Sequence, residues 1–195
     1  MVAVLSKISK QVELTTERLI LKTLDEDFAF LVLDYYQRNK EHFKQWVPDY
    51  GEEYFTLAHQ QKLLGEYIKL MRKGLMVKLW LFEAENDGLK IIGDIAYTNI
   101  IRGPYQGCHL GYKMDKDYLR LGYMSEALKL TNQYVFQHLQ LHRIEANIMP
   151  FNQNSIELIE KLGFKKEGFS DKYLKINGKW ENHVRYGMIN EEMEE

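Results

Sequence analysis

Apolar positions recur with two different periods along this chain, and each change of period marks a change of element. From Val12 to Thr23 (VELTTERLILKT) apolar and polar residues alternate around Leu19 and Leu21, which predicts a strand. Between Asp25 and Arg38 the period lengthens. Phe28, Leu31, Val32 and Tyr35 share one helical face, and acids occupy the first turn, where the helix dipole favours them. The stretch from His42, HFKQWVPDYGEE, is broken by Pro48 and Gly51 and predicts a loop carrying Trp46 and Tyr50, with Tyr54 just beyond. Helical spacing returns over Thr56–Lys73 and stops at Gly74.

Three strand signals follow. Leu75–Glu85 alternates, Asn86-Asp87-Gly88 has the composition of a hairpin turn, and Leu89–Ile101 is the return strand. After Arg102-Gly103-Pro104 a short strand runs from Cys108 to Met114, then a charged turn, a loop around Gly122 and a helix from about Met124. Ala127, Leu130, Thr131, Tyr134, Val135 and Leu139 form that helix's apolar face. His142–Met149 alternates again, Asn152 suits the N-cap of a helix reaching Leu162, and Gly163 is its stop. Two last strands, Phe164–Ile176 and Lys179–Ile189, meet at Asn177-Gly178. The order is one strand, two helices, three antiparallel strands, helix, strand, helix, two strands. It predicts an α+β domain over residues 1–195, with about four helices around one mixed, mostly antiparallel seven-stranded sheet.

Composition narrows the class. Apolar residues make up 45% and charged residues 28% of 195, ordinary for a globular chain able to bury its own core. A net charge of −2 supplies no basic field for a nucleic-acid duplex, so no direct nucleic-acid partner is expected. Cys108 is the single cysteine and cannot form an internal disulfide, which suits a reducing, cytoplasmic setting. MVAVLSKISK is too polar for a signal peptide, and no long apolar run predicts a membrane span. His138 and His142 lack spaced partners for a metal site, and EEMEE reads as a solvated acidic tail.

The stretch with a chemical use is HLGYKMDKDYLRLGYMSEAL, His109–Leu128. A strand that feeds a glycine-bearing loop opening a helix presents unpaired N–H donors and a partial positive charge, a docking place for a pyrophosphate. Gly122 keeps side-chain atoms out of the way of that approach. By itself one glycine before a helix is more often the mark of a plain turn.

The order of elements, with NIIRG at Asn99, LGY at Leu110, GYMSEAL at Gly122, LHRIEANIMPFNQNS at Leu141 and KLGFKKEG at Lys161, resembles the GNAT superfamily of acetyl-CoA-dependent N-acetyltransferases. The likeness runs from LTTERLIL at Leu14 to NGKWENHV at Asn177. Within the superfamily it looks most like the ribosomal-protein-alanine acetyltransferases, the RimJ type. The resemblance implies a sheet splayed between its fourth and fifth strands, with the pantetheine arm paired to free backbone of Tyr112, Lys113 and Met114. It implies a pyrophosphate on Leu119, Arg120, Leu121, Gly122, Tyr123, Met124 and Ser125. The family pattern there is Gln or Arg, two residues, Gly, one residue, then Gly or Ala, and only the central glycine is kept. Arg120 is a candidate partner for a phosphate.

Further residues follow from the same resemblance. Asn152 would touch the pantetheine arm as well as cap its helix. Ile159 stands where many members carry a tyrosine acid, and Ser155 is the substitute that would assist the departing thiolate. His109 stands where many relatives carry a glutamate base, with Glu145 as second candidate; the alternative readings are a half-buried histidine and a structural ion pair with Arg143 or a lysine. An α-amine of pKa roughly 7.7–8.0 is about a tenth neutral at pH 7, whereas a lysine at ~10.4 is almost wholly protonated, so the want of a strong base favours an α-amine acceptor. The implied activity is acetyl transfer from acetyl-CoA, without a metal, to a protein N-terminus, with a ribosomal protein as acceptor and the enzyme a monomer or homodimer. Two alternatives are a small-amine acetyltransferase (polyamine, amino acid or antibiotic) and a CoA-responsive, non-catalytic ribosome-binding module.

Overall fold

The computed structural model describes residues 12–86 and 90–193. Its strands are β1 (Glu13–Thr15), β2 (Leu19–Lys22), β3 (Val77–Glu83), β4 (Gly93–Ile101), β5 (Gly107–Met114), β6 (Arg143–Ile148), β7 (Lys165–Ile176) and β8 (Lys179–Ile189). The α-helices are α1 (Ala29–Arg38), α2 (Lys40–Lys44), α3 (Leu57–Arg72), α4 (Tyr123–Gln137) and α5 (Gln153–Lys161). Among the described residues the strands form one eight-stranded sheet in the order β1-β2-β3-β4-β5-β6-β8-β7. Every neighbouring pair is antiparallel except β5 and β6, which α4 connects by a crossover.

The eighth strand corrects the expected seven. Val12–Thr23 is a hairpin, because Thr16 closes a turn on Leu19: its N–H donates to the Leu19 carbonyl at 2.9 Å and its hydroxyl accepts from the Leu19 N–H at 3.0 Å. Alternation has the same period on both sides of such a turn and does not report it. The expected loop after His42 is also partly helical, holding α2 and a 3-10 turn at Glu52–Phe55. Helix 25–38 opens as a 3-10 turn, Glu26–Phe28, capped by the Asp25 carboxylate, before α1 begins. Asn177-Gly178 is a hairpin turn with both residues at positive φ. MVAVLSKISK, and Asp87 and Gly88 of the other predicted hairpin turn, lie outside the described residues.

Both faces of the sheet are covered, so β3 is buried throughout all but its last residue. Leu79 and Leu81 join one core with Ala127 and Leu128 of α4 and Ile159 of α5. Trp80 and Phe82 join the other with Tyr35 and Tyr36 of α1 and Leu64 of α3. The functional geometry arises where β5 lies between these two layers.

Candidate functional site

β5 and β6 pair only from Gly107↔Arg143 to Leu110↔Ala146, and from Gly111 onward β5 loses that neighbour. β6 continues to Ile148 without pairing to β5, and the chain then turns through Pro150 into α5, whose first turn meets β5 at the Tyr112–Ser155 contact. The Asp115 N–H donates to the Ile92 carbonyl at 2.9 Å. Strand alternation therefore turns the main-chain groups of Lys113 towards β4 and those of Tyr112 and Met114 into the fork. A Cβ on Gly93 would stand 3.0 Å from the Lys113 carbonyl, which fits that direction.

A cavity of about 770 Å³ opens from the fork. It is lined by Tyr112, Lys113 and Met114, by Leu119, Arg120, Gly122, Tyr123, Met124 and Ser125, and by Asn152, Ser155, Leu158 and Lys161 of the α5 side. Leu121 is not in the lining; its side chain is exposed and its carbonyl accepts from Arg18 at 3.1 Å. Gly122, at φ 82°, occupies the left-handed N-cap position of α4, and Arg120 just before it is left-handed as well (φ 61°). The free amides of α4's first turn follow at once.

The loop is held from outside by Arg18, in the turn between β1 and β2. Its Nε and Nη2 donate to the Glu126 carboxylate at 2.8 and 2.6 Å, and its guanidinium lies 4.6 Å from the Tyr123 ring centroid. Thr16 donates to the same carboxylate. Burial pushes Glu126 up, but these bonds outweigh it and hold the group below its ordinary range. Tyr118 and Tyr123 donate to Glu83 at 3.2 and 3.1 Å.

On the α5 side the Asn152 side chain accepts from the Ser155 N–H at 3.3 Å, the N-cap bond expected for that position. Ser155 faces the cavity, and its carbonyl accepts from the Tyr112 hydroxyl at 3.3 Å. Ile159 is fully buried in the core.

His109 and Glu145 are register partners on β5 and β6, with Nε2 and Oε2 3.7 Å apart. Glu145 also accepts from Arg143 at 2.7 Å and Tyr105 at 2.8 Å, and Arg185 stands 3.7 Å away. Burial raises this carboxyl, and the Arg143 and Tyr105 bonds and the neighbouring cations more than reverse the effect. Neither residue lines the cavity.

The opposite wall is formed by His42 and Phe43 of α2 and by Gln45 and Trp46 after it, Trp46 being one of the aromatics of the predicted loop. Trp46 stacks on Phe151 with centroids 5.6 Å apart, tying this segment to the approach to α5. A second chamber of about 340 Å³ shares Phe43 and Lys113 with the first and is walled by Tyr36, Tyr50 and Tyr54. Tyr50 and Tyr54 stack at 4.3 Å, and Tyr54 packs edge-on against Tyr36.

Beneath this junction lies a buried ionic cluster. Asp94 is fully buried; it accepts from Lys78, from Lys113 at 3.3 Å and from the Tyr35 hydroxyl at 3.1 Å. Burial pushes Asp94 up, but the two ammonium charges outweigh it and hold the carboxyl low. Burial also lowers Lys78, to about 8, whereas the attraction of Asp94 overcomes burial at Lys113 and keeps its ammonium above the ordinary value. Among the described residues no group of His, Cys, Asp and Glu could hold a metal ion, and no helix is long and apolar enough to cross a membrane.

Comparison with known proteins gives a consistent result. A family profile described as an acetyltransferase (GNAT) domain matches residues 18–165. The [Ribosomal protein uS5]-alanine N-acetyltransferase of Escherichia coli (strain K12) is 35% identical over 174 residues, 89% of each chain. The Probable N-acetyltransferase YjcK of Bacillus subtilis (strain 168) is 38% identical over 157 residues, covering 80% of this chain and 86% of that one. The crystal structure of ribosomal-protein-S5-alanine acetyltransferase from Vibrio fischeri superposes with a TM-score of 0.89 at 32% identity, over 94% of this chain and 100% of that chain. RimJ of Mycobacterium smegmatis, in complex with a CoA-disulfide, has the same fold at a TM-score of 0.83 and 23% identity, over 91% of this chain and 84% of that one.

Proposed function

The chain belongs to the GNAT acetyltransferase family, and from that premise we propose that it transfers acetyl from acetyl-CoA to the N-terminal α-amine of a protein, with a ribosomal protein as the acceptor class. The observation that carries this reading is the fork. Main-chain groups of Tyr112 and Met114 open into a cavity of about 770 Å³ that continues to the Gly122 loop. The pantetheine amides pair with those groups, and the pyrophosphate rests on the first amides of α4 beside Arg120, with Lys161 as a further cation.

In the reaction the amine nitrogen attacks the thioester carbonyl carbon, and the carbonyl electron pair moves to oxygen, where the Met114 N–H receives it. Collapse re-forms the carbonyl and breaks the C–S bond. The departing thiolate is protonated with help from the Ser155 hydroxyl. The amine proton passes through water to His109, whose imidazole lies beside Glu145 and outside the cavity lining. A weak base suffices because an α-amine is already partly neutral near pH 7.

The test is acetyl-CoA-dependent acetylation, read by mass spectrometry, of ribosomal-protein N-terminal peptides beside polyamines and amino acids. Acetylation confined to peptide α-amines supports the reading in full. Acetylation of small amines alone moves the acceptor class and keeps the cofactor, and binding without turnover on any amine leaves a CoA-responsive module in the cytoplasm.

A further inference from the structure

Lys113 differs from its neighbours on β5. Its main chain is turned to β4, so its contribution to the site is made by its side chain, which lines both the cofactor cavity and the adjoining chamber. That side chain is 21% exposed and sits in a cluster holding two ammonium groups against one carboxylate. Asp94 is Lys113's cross-strand partner, and Lys78 approaches the same carboxylate oxygen from β3. The cluster therefore keeps one cation more than it can neutralise. Lys78 is sealed beneath the sheet surface, whereas Lys113 is the member that reaches the cavities.

The groups packed directly on the Lys113 ammonium add no charge that offsets this excess. From α1 the Tyr36 ring lies under its ammonium, 5.8 Å to the centroid. Tyr67 of α3 and Tyr50 stand near it, and burial raises the Tyr36 and Tyr67 phenols, so both stay uncharged at neutral pH. Further out in the chamber Lys40 is held by Glu52 at 2.8 Å, and Glu41 and Asp49 outnumber Lys44, but among the described residues none of these carboxylates pairs with Lys113.

We infer that the Lys113 ammonium is a catalytic group of the acetyl transfer: a fixed cation between cofactor and acceptor that disfavours a protonated amine in the docked complex and adds its charge to the Met114 N–H in stabilising the oxyanion as it forms. A positive charge held in a low-dielectric site opposes a second one beside it and favours the negative charge that develops on the carbonyl oxygen. The bonds made and broken are those already given, C–N formed and C–S broken, and Lys113 keeps its proton throughout. The inference rests on the proposed α-amine activity and adds to it the device that presents the amine neutral.

The experiment compares two pH profiles in wild type, Lys113→Met, Lys113→Gln and Lys113→Arg. One is the single-turnover rate of acetyl-CoA-loaded enzyme with saturating N-terminal peptide, which reports the docked amine; the other is kcat/KM, which reports the free reactants. The expected result for Met and Gln is a single-turnover acid limb moved up by about 1 pH unit, so that the rate at pH 7 falls up to about tenfold, with the kcat/KM limb in place. Arg should retain the wild-type limb. Both neutral variants leave Asp94 and Lys78 as a one-to-one pair and should fold, and Gln keeps a donor for Asp94. An unmoved single-turnover limb overturns the inference. Joint movement of both limbs overturns it too, because Lys78 or the free enzyme is then titrating. A wild type that acetylates no peptide α-amine overturns the acceptor reading first, and this inference with it.

Discussion

The Tyr112 hydroxyl donates to the Ser155 carbonyl across 3.3 Å, joining β5 to the first turn of α5 just beyond the last main-chain pairing of β5 with β6. This bond uses the Ser155 carbonyl, and the Ser155 hydroxyl interacts with the same Tyr112 phenol. Tyr112 therefore fixes where Ser155 stands at the cavity wall.

Ser155→Ala should lower turnover by at least tenfold and leave acetyl-CoA affinity within about a factor of two, since a positioned acid acts on the leaving thiolate and not on the bound ground state. Tyr112→Phe should do something different. It removes one hydrogen bond, worth about 1 kcal/mol of stability, and keeps the serine hydroxyl. Steady-state kinetics with calorimetric titration of acetyl-CoA separates the two. Unchanged turnover in the alanine variant removes Ser155 from the mechanism.

Asn152 carries one observed and one proposed role that substitutions can divide. Its carbonyl oxygen caps α5, while its amide group is the one proposed to meet the pantetheine arm. Asn152→Asp keeps the cap and should leave the urea midpoint nearly unchanged, yet it should weaken acetyl-CoA binding. Asn152→Ala loses both, with a stability cost of about 1 kcal/mol. Equal acetyl-CoA affinity in wild type and the aspartate variant would reduce Asn152 to a cap.

Both residues were legible in the sequence for a local reason. A cap and its N3 partner are three positions apart, and the glycine-opened helix at Gly122 and the Asn177-Gly178 turn are signalled just as locally. What the sequence did not reveal depends on register or on distant contacts. Trp46 takes its place from Phe151, and the hairpin side chain of Asn177 donates to the Lys44 carbonyl. Alternation places Lys113 on the same face of β5 as His109 and Gly111, but its pairing with Asp94 and Lys78 needs three strands aligned. The Thr16 turn hid inside an unbroken period, and with it the role of Arg18.

Arg18 should matter for ligand binding more than for folding. Its pair with Glu126 is 44% exposed on the arginine side, so its loss should cost well under 1 kcal/mol of stability. The same side chain holds the Leu121 carbonyl and covers Tyr123, and so fixes the loop that precedes α4. Arg18→Ala should forfeit on the order of 1 kcal/mol of acetyl-CoA binding, about fivefold in Kd, through lost preorganisation. Saturated turnover should hardly change. Equilibrium titration at two salt concentrations checks this, and an unchanged Kd at both would show that the loop is ordered without Arg18.

Acid should unfold this protein chiefly through its three most buried depressed carboxylates, with the more exposed Glu126 adding less. Burial raises Asp94, Asp115 and Glu145, yet cations and donated hydrogen bonds outweigh burial at each, so all three are held below their ordinary values. A depressed folded value means the unfolded chain binds the proton more readily. The stabilisation is fully present above the unfolded values, about 3.9 for Asp and about 4.3 for Glu, and is lost as pH falls through the lower folded values. Urea midpoints should therefore hold steady from pH 7 to about 5 and drop steeply below 4. Glu145→Gln removes one of the three groups and leaves Arg143 with only Glu167 as carboxylate partner. It should cost about 1–3 kcal/mol at pH 6, where the wild-type carboxylate accepts charged hydrogen bonds, and the difference should shrink towards pH 3 as that carboxylate is protonated. Parallel curves for the two proteins across this range would mean that Glu145 gains nothing from its network, and would return it to consideration as a proton carrier beside His109.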